Sequence, residues 1–158
     1  MKILEIRELP DQVARCRSEG KTIIHCHGCF DLMHPGHIKY LQAAKRMGDV
    51  LVVTISPDRF VDKGSDRPVF NETLRAESIA ALECVNYVAI NKWPTAEKTL
   101  RLIRPDIYVK GQEFENTKDK TGKIQKEIEV VKEIGAKIRF THEIVFSSTE
   151  LLNQYFIK

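Results

Sequence analysis

The sequence predicts a doubly wound α/β fold: a mostly parallel five-stranded sheet with helices on both faces. Three observations carry this. Strand-like and helix-like segments alternate about five times along the 158 residues, a pattern that needs crossover connections and so yields parallel pairing. Val50–Ser56 is a near-continuous apolar, β-branched run, which suits a strand covered on both faces. The segments that follow the strands are unusually polar, and sheets of this type bind ligands beyond the carboxyl ends of their strands, at the switch in strand order.

Each element has a local justification. Leu9-Pro10-Asp11 opens a helix with proline in its first turn, and Gly20 stops it. Thr22–His27 is the first strong strand. From about His34 to Met47, Ile38, Leu41 and Ala44 recur at helical spacing beside Tyr40, while Lys39, Lys45 and Arg46 are left for solvent. Gly48 ends that helix, and Val50–Ser56 is the central strand. Asn71 caps a helix carrying Leu74, Ala81, Leu82 and Val85, and Tyr87–Ile90 is a short strand after it. Thr95 caps the next helix, which ends near Arg104-Pro105. Asp106–Lys110 reads as strand, Lys118–Lys123 as a loop without assigned chemistry, Gly122–Ile134 as an amphipathic helix stopped by Gly135, and Lys137–Thr141 as the last strand. A final helix begins near Ser147, where Ser147-x-x-Glu150 forms a capping box.

Length and composition bound the function. At 18.2 kDa, residues 1–158 fit one domain with a core large enough to need no staples. Lys and Arg number 25 against 22 Asp and Glu, and the resulting +3 is too slight to imply a bulk polyanionic partner. No apolar run approaches the roughly 18 residues that span a bilayer, and Met1–Glu8 mixes charges into its apolar positions, so no membrane partner and a cytoplasmic location are expected. The aromatics show no spaced stacking pattern, which argues against nucleic acid. Cys16, Cys26, Cys29 and Cys84 are read as reduced thiols.

Directly after the first strong strand comes Gly28-Cys29-Phe30-Asp31-Leu32-Met33-His34-Pro35-Gly36-His37, and a helix starts inside it. Two histidines three apart at a helix N-terminus share a side with unpaired backbone N–H groups and the positive end of the dipole. That is an anion site. Gly28 lets the chain turn tightly off the strand, and Gly36 leaves room for a bulky ligand between the imidazoles. The arrangement suits a polyphosphate.

Gly28–Asp31 followed by His34–His37 resembles the GxFD…HxGH signature of the cytidylyltransferase-like nucleotidyltransferases. Further segments match in order: Gly48-Asp49, Ser56-Pro57-Asp58, Lys63 with Arg67-Pro68, Arg75, Val109-Lys110-Gly111-Gln112-Glu113 and Ser147-Ser148-Thr149. The resemblance covers roughly residues 22–155. It implies transfer of a nucleoside monophosphate from ATP or CTP to a phosphorylated sugar or polyol, with release of pyrophosphate. It implies catalytic roles for His34, His37 and Lys63. Substrate contacts would come from Gly28, Cys29, Phe30, Asp31, Gly36, Arg75, Lys110, Gly111, Glu113, Ser147, Ser148 and Thr149. It further implies Mg2+ bridging the phosphates, a homodimer with Arg75 near its seam, and a sugar kinase, fused or separate, as partner. Gly28–Asp31, Arg67-Pro68 and Val109–Gly111 are most similar to the heptose 1-phosphate adenylyltransferase domain. Gly36–Lys39 and Gly48–Phe60 resemble glycerol-3-phosphate cytidylyltransferase almost as well, which keeps CTP with polyol phosphate or phosphonate acceptors as the alternative. Val85-Asn86 departs from the family's common Val-Asp and removes a carboxylate expected near the site.

Rival readings attach to the same residues. A non-catalytic nucleotide-binding or metal-binding module is the other class, since His25, Cys26, His27, Cys29, His34 and His37 fall within thirteen residues. Strand alternation sends His25 and His27 to one face and Cys26 to the other, which keeps the set from converging. Cys26 is read as a small buried hydrophobe, and His25 and His27 receive no role. Asp31 is a turn former or a carboxylate that orients a histidine or the acceptor. Lys63 and Arg67 lie in a polar loop placed to close over a ligand. A capping role for Ser147 leaves Ser148 and Thr149 free for phosphate.

Overall fold

The amino end of the chain adds one strand to the five expected. A computed structural model describes residues 1–115 and 122–156. Its strands are β1 (Ile3–Leu4), β2 (Ile23–Gly28), β3 (Val50–Ile55), β4 (Tyr87–Ile90), β5 (Ile107–Gly111) and β6 (Lys137–Thr141). They form one sheet in the order β1-β4-β3-β2-β5-β6, parallel throughout. At two residues β1 is too short to show alternation, and it is fixed by pairing Ile3 with Val88 and Leu4 with Ala89. The helices are α1 (Leu9–Ser18), α2 (Pro35–Lys45), α3 (Glu72–Ala80), α4 (Glu97–Ile103), α5 (Lys123–Glu133) and α6 (Ser148–Tyr155). None of the described helices is long and apolar enough to cross a membrane.

Strand alternation sorts the core into two layers. Ile24, Cys26, Leu51, Val53, Ile55, Val88 and Val109 face α2 and α3, where they meet Leu41, Ala44, Ala76 and Ile79. Ile23, Val50, Val52 and Ala89 face the other way, onto Leu9 and Val13 of α1 and Ile103 of α4. Tyr108 continues that second layer beneath Leu100 of α4 and Val130 and Val131 of α5. β3 is buried at every position, as its unbroken apolar run requires.

Three local expectations change. The helix capped by Asn71, whose side chain accepts from the Leu74 N–H, ends at Ala80, so Ala81, Leu82 and Val85 lie in the turn before β4, where Val85 still packs in the core. Thr95 does not cap α4. Its hydroxyl donates to the Glu97 carboxylate at 2.8 Å, while the Ala96 N–H is satisfied from a distance by Glu127 of α5 at 3.1 Å. Asn86 is remote from the carboxyl ends of the strands. Its Oδ1 accepts from the Leu51 N–H at 2.8 Å and from Lys45 Nζ at 2.9 Å, near the starts of β3 and β4, so its amide serves the fold. Residues 118–121 of the expected loop lie outside the described residues, and Lys123 opens α5.

The topology positions the site. Strand order reverses at β2, which has β3 on one side and β5 on the other. The crevice beyond the ends of β2 and β5 is therefore where such a fold binds its ligand.

Candidate active site

Where β2 ends, the chain bends through a left-handed backbone at Phe30 (φ 54°) and Leu32 (φ 50°). The tight turn thus falls on these two residues and not on Gly28. Gly28 is needed for a different reason, because a Cβ there would stand 3.0 Å from the Phe30 ring. Holding non-glycine residues in this region costs on the order of 1 kcal/mol each, and packing must enforce it. Phe30 is buried, edge-on to His37 at 5.4 Å and stacked near Tyr40 at 6.4 Å between ring centroids. Tyr40 in turn donates to the Val109 carbonyl at 2.6 Å and ties α2 to β5.

His34 is the N-cap of α2. Its Nδ1 accepts from the His37 N–H at 3.4 Å, which in a neutral ring leaves the proton on Nε2. The two imidazoles stack with centroids 3.7 Å apart at 18°. His34 Nε2 and His37 Nδ1 are buried without a hydrogen-bond partner, so each ring keeps one nitrogen for a ligand. Burial, then His34 and Lys63, push the His37 imidazole down to about 4, and burial with Lys63 lowers His34. At neutral pH the rings are neutral. They offer directed hydrogen bonds, and the positive charge of the site comes from lysines. Gly36 sits in a close approach, since a Cβ would meet the His34 ring at 3.0 Å and the Phe146 backbone nitrogen at 3.1 Å.

These groups open on a cavity of about 230 Å³. Ten of the expected residues line it: Gly28, Cys29, Phe30, His34, Gly36 and His37 from the β2–α2 segment, Lys63 from the following loop, and Lys110, Gly111 and Glu113 from the end of β5. Sequence reasoning missed an apolar lining of Phe114, Ile144, Val145 and Phe146, together with His27 and Tyr40. Apolar groups interleave with polar and cationic ones in the cavity: Phe146 lies edge-on to His34 at 5.9 Å between ring centroids, and Lys110 Nζ stands 4.5 Å from the Phe114 ring centroid. Strand alternation had put His27 on its face; only the strand order shows that this face ends in the cavity.

The remaining expected residues brace the walls instead of lining them. Asp31 is buried, and both its oxygens are taken: Oδ2 by Arg67 Nε at 2.8 Å and the Val69 N–H at 2.9 Å, Oδ1 by the Phe70 N–H at 3.1 Å. Burial alone would raise this carboxyl, but the Val69 N–H, Arg67 and the Phe70 N–H hold it below the ordinary range. Arg67 also reaches Thr149 Oγ1 at 3.1 Å, and Ser148 Oγ donates to the Asp31 carbonyl at 2.7 Å. Ser148 thus spends its hydroxyl proton on the β2–α2 loop, while Thr149 accepts from Arg67 of the loop before α3 and keeps its own hydrogen. Ser147 caps α6 by accepting from the Glu150 N–H at 3.3 Å. Arg75 is only 1% exposed. Its guanidinium binds the carbonyls of Phe70 (2.9 Å), Cys29 (2.5 Å) and Ser56 (2.9 Å) and the Asp58 carboxylate (2.6 Å), which spends its fork on three converging loops.

Cys26 lies on the face away from His25 and His27, and burial raises its thiol to about 12. Among the described residues no three His, Cys, Asp or Glu side chains gather closely enough to hold a metal ion.

Comparison with known proteins bears on this geometry. Residues 25–154 match the family model described as cytidylyltransferase-like. The chain is 44% identical over 115 residues to the bifunctional protein HldE of Citrifermentans bemidjiense, covering 72% of this chain and 24% of that protein. It is 36% identical over 146 residues to the bifunctional protein HldE of Campylobacter fetus subsp. fetus, covering 91% and 30%. The chain thus spans about a quarter to a third of the length of these relatives. Among solved structures it is similar to the lipopolysaccharide core biosynthesis protein from Thermoplasma volcanium GSS1, with a TM-score of 0.63 and 26% identity over 81% of this chain and 100% of that one. A pantoate-beta-alanine ligase from Francisella tularensis shares the fold, with a TM-score of 0.58 at 18% identity over 89% and 66%.

Proposed function

From the premise that this chain belongs to the cytidylyltransferase-like family, we propose that it transfers a nucleoside monophosphate from an NTP to the phosphate of a sugar or polyol, preferring ATP and a sugar 1-phosphate. The observation that carries this is the stacked His34–His37 pair, two neutral rings each with an unspent nitrogen at a helix N-terminus, in a cavity that Lys63 and Lys110 also line.

The chemistry asks for little else. The acceptor phosphate is already an anionic nucleophile at neutral pH, so no strong base is needed. Its oxygen attacks the α-phosphorus, the bond to the bridging oxygen breaks, and pyrophosphate leaves with the electron pair. The barrier lies in anion–anion repulsion and in charge that grows on the α-phosphate and the leaving group. Fixed N–H donors and positioned ammonium groups relieve both. The apolar lining of Phe114, Ile144, Val145 and Phe146 suits a nucleobase. Glu113 and Glu143 are the cavity's carboxylates. These carboxylates would hold a magnesium ion, which would supply further positive charge against the charge growing on the phosphates.

The preference for ATP and a sugar 1-phosphate is supported by the resemblance of Gly28–Asp31, Arg67-Pro68 and Val109–Gly111 to heptose 1-phosphate adenylyltransferase domains and by the identity to HldE. The resemblance of Gly36–Lys39 and Gly48–Phe60 to glycerol-3-phosphate cytidylyltransferase favours CTP with a polyol phosphate as second reading. A homodimer, a sugar kinase partner and a cytoplasmic setting complete the proposal. Pyrophosphate release, screened with four NTPs against phosphorylated sugars, polyols and phosphonates in added magnesium, tests it. Release with ATP and a sugar 1-phosphate above all other pairs is expected. Nucleotide binding without release from any pair would favour a module that binds without turnover.

A further inference from the structure

Behind the paired histidines of α2 lies a second imidazole pair to which the reaction above gives no task. His25 and His27 project from the same face of β2, and Thr54 of β3 stands between them. Thr54 Oγ1 is 2.8 Å from His25 Nε2 and 2.9 Å from His27 Nδ1. His27 Nε2 continues the row to Ser56 Oγ at 3.4 Å, and His27 lines the cavity. The row runs from the closed interior, where His25 is wholly buried, to the ligand space, where His27 is 8% exposed.

Proton counting gives this row a direction. A threonine hydroxyl has one hydrogen, so it donates to one ring and accepts from the other. If it donated to His25 Nε2, the proton of that neutral ring would sit on Nδ1, which is buried with no partner. A buried N–H left without an acceptor is the rarer and costlier defect. The opposite arrangement leaves only a lone pair there. His25 Nε2–H then donates to Thr54, the Thr54 hydroxyl donates to His27 Nδ1, and the remaining His27 proton sits on Nε2. Burial, followed by the Lys110 charge, pushes His27 down to about 3, so the ring stays neutral and its tautomer decides what it offers. Lys110 is adjacent, with Nζ 3.5 Å from the His27 carbonyl. The 3.4 Å separation from Ser56 is long for a hydrogen bond, which leaves the His27 proton open to a better acceptor.

We propose that His27 is a third imidazole of the site, a neutral Nε2–H donor to an anionic oxygen of bound substrate, held in that tautomer by the His25–Thr54 pair. This rests on the cavity being the nucleotide site. His27 supplies direction where Lys110 supplies charge, and Thr54 and His25 act as positioning residues.

Nitrogen-15 NMR of the histidine rings in the intact protein tests the tautomer without any variant. The expected result is a protonated Nε2 and an unprotonated Nδ1 at His27 at pH 7, and the reverse pattern overturns the proposal. Saturation with ATP, CTP or inorganic pyrophosphate, each with magnesium, should then shift the His27 Nε2 signal together with those of His34 and His37. Response of His34 and His37 without His27 rejects the third imidazole alone. Silence of all three with every probe rejects the nucleotide site itself. In binding assays His27→Leu should weaken the responding probe about 10-fold, the loss of one hydrogen bond to a charged partner, whereas His27→Gln, which keeps an N–H at similar reach, should stay within about 3-fold. Equal weakening by both variants would show that the ring serves packing only.

Discussion

The histidines at the head of α2 offer geometry and not charge. His34 spends Nδ1 on capping its own helix and thereby keeps its proton on Nε2, which is buried and has no partner in the fold. His37, stacked at 3.7 Å, is kept neutral by burial and by the neighbouring His34 and Lys63. A donor aimed at charge that appears only in the transition state is worth about 10²-fold or more in turnover. His37→Ala should therefore lower kcat by at least ~10²-fold with KM for the nucleotide changed much less. The folded state should survive, as circular dichroism and thermal melting would show. His34→Ala removes the helix cap as well, so it should cost turnover together with about 1 kcal/mol of stability. A His37→Ala enzyme with unimpaired kcat would remove this imidazole from the mechanism. These two residues were legible because their spacing carries the chemistry. Ser148, Thr149 and Asp31 were legible only as motif members, and the motif does not say that Asp31 is saturated by loop N–H groups or that the two hydroxyls fasten α6.

Between elements, the walls of the cavity are set by arginines that never reach it. Arg75 leaves α3 and gathers the Phe70, Cys29 and Ser56 carbonyls and the Asp58 carboxylate, joining the β2–α2 loop, the end of β3 and the loop before α3. Sequence alone offers an exposed helix arginine or a phosphate ligand near a dimer seam. Neither matches a side chain 1% exposed, because burial of a long cation is decided by which loops converge on it, and that is a tertiary fact. Removing one partner from such a buried, multiply bonded group costs about 3–5 kcal/mol. Arg75→Ala should therefore lower the melting temperature by roughly 10 °C. Arg75→Lys should recover only part of this, since an ammonium cannot serve three carbonyls in a plane. A variant that melts like the parent but binds nucleotide weakly would restore Arg75 to the phosphates. The strands themselves were plain in the sequence, except for β1. Its two residues carry no periodicity and owe their existence to the open edge of β4.

Across the whole molecule, the buried imidazoles tie stability to pH in one direction. His25, His27 and His37 all lie below the ordinary histidine value of 6.5 in the folded protein, His27 at about 3 and His37 at about 4, with burial as the leading cause. Above about pH 7 these rings are neutral in both states and contribute nothing to the slope. Between about 6.5 and 4 the unfolded chain takes up protons that the folded chain refuses, so the free energy of unfolding falls as pH falls. Below about 4 the Asp31 carboxyl, held low chiefly by the Val69 N–H and Arg67 against the effect of burial, adds to the loss when it is finally protonated. Melting temperature should thus be nearly level from pH 8 to 7 and drop by at least ~5 °C from pH 7 to 5. His27→Gln should flatten that drop, since it removes a ring that burial holds down at about 3 in the folded protein. A level curve down to pH 5, or a parent and variant that fall in parallel, would mean that the ring row inside β2 already exchanges protons with solvent in the folded state.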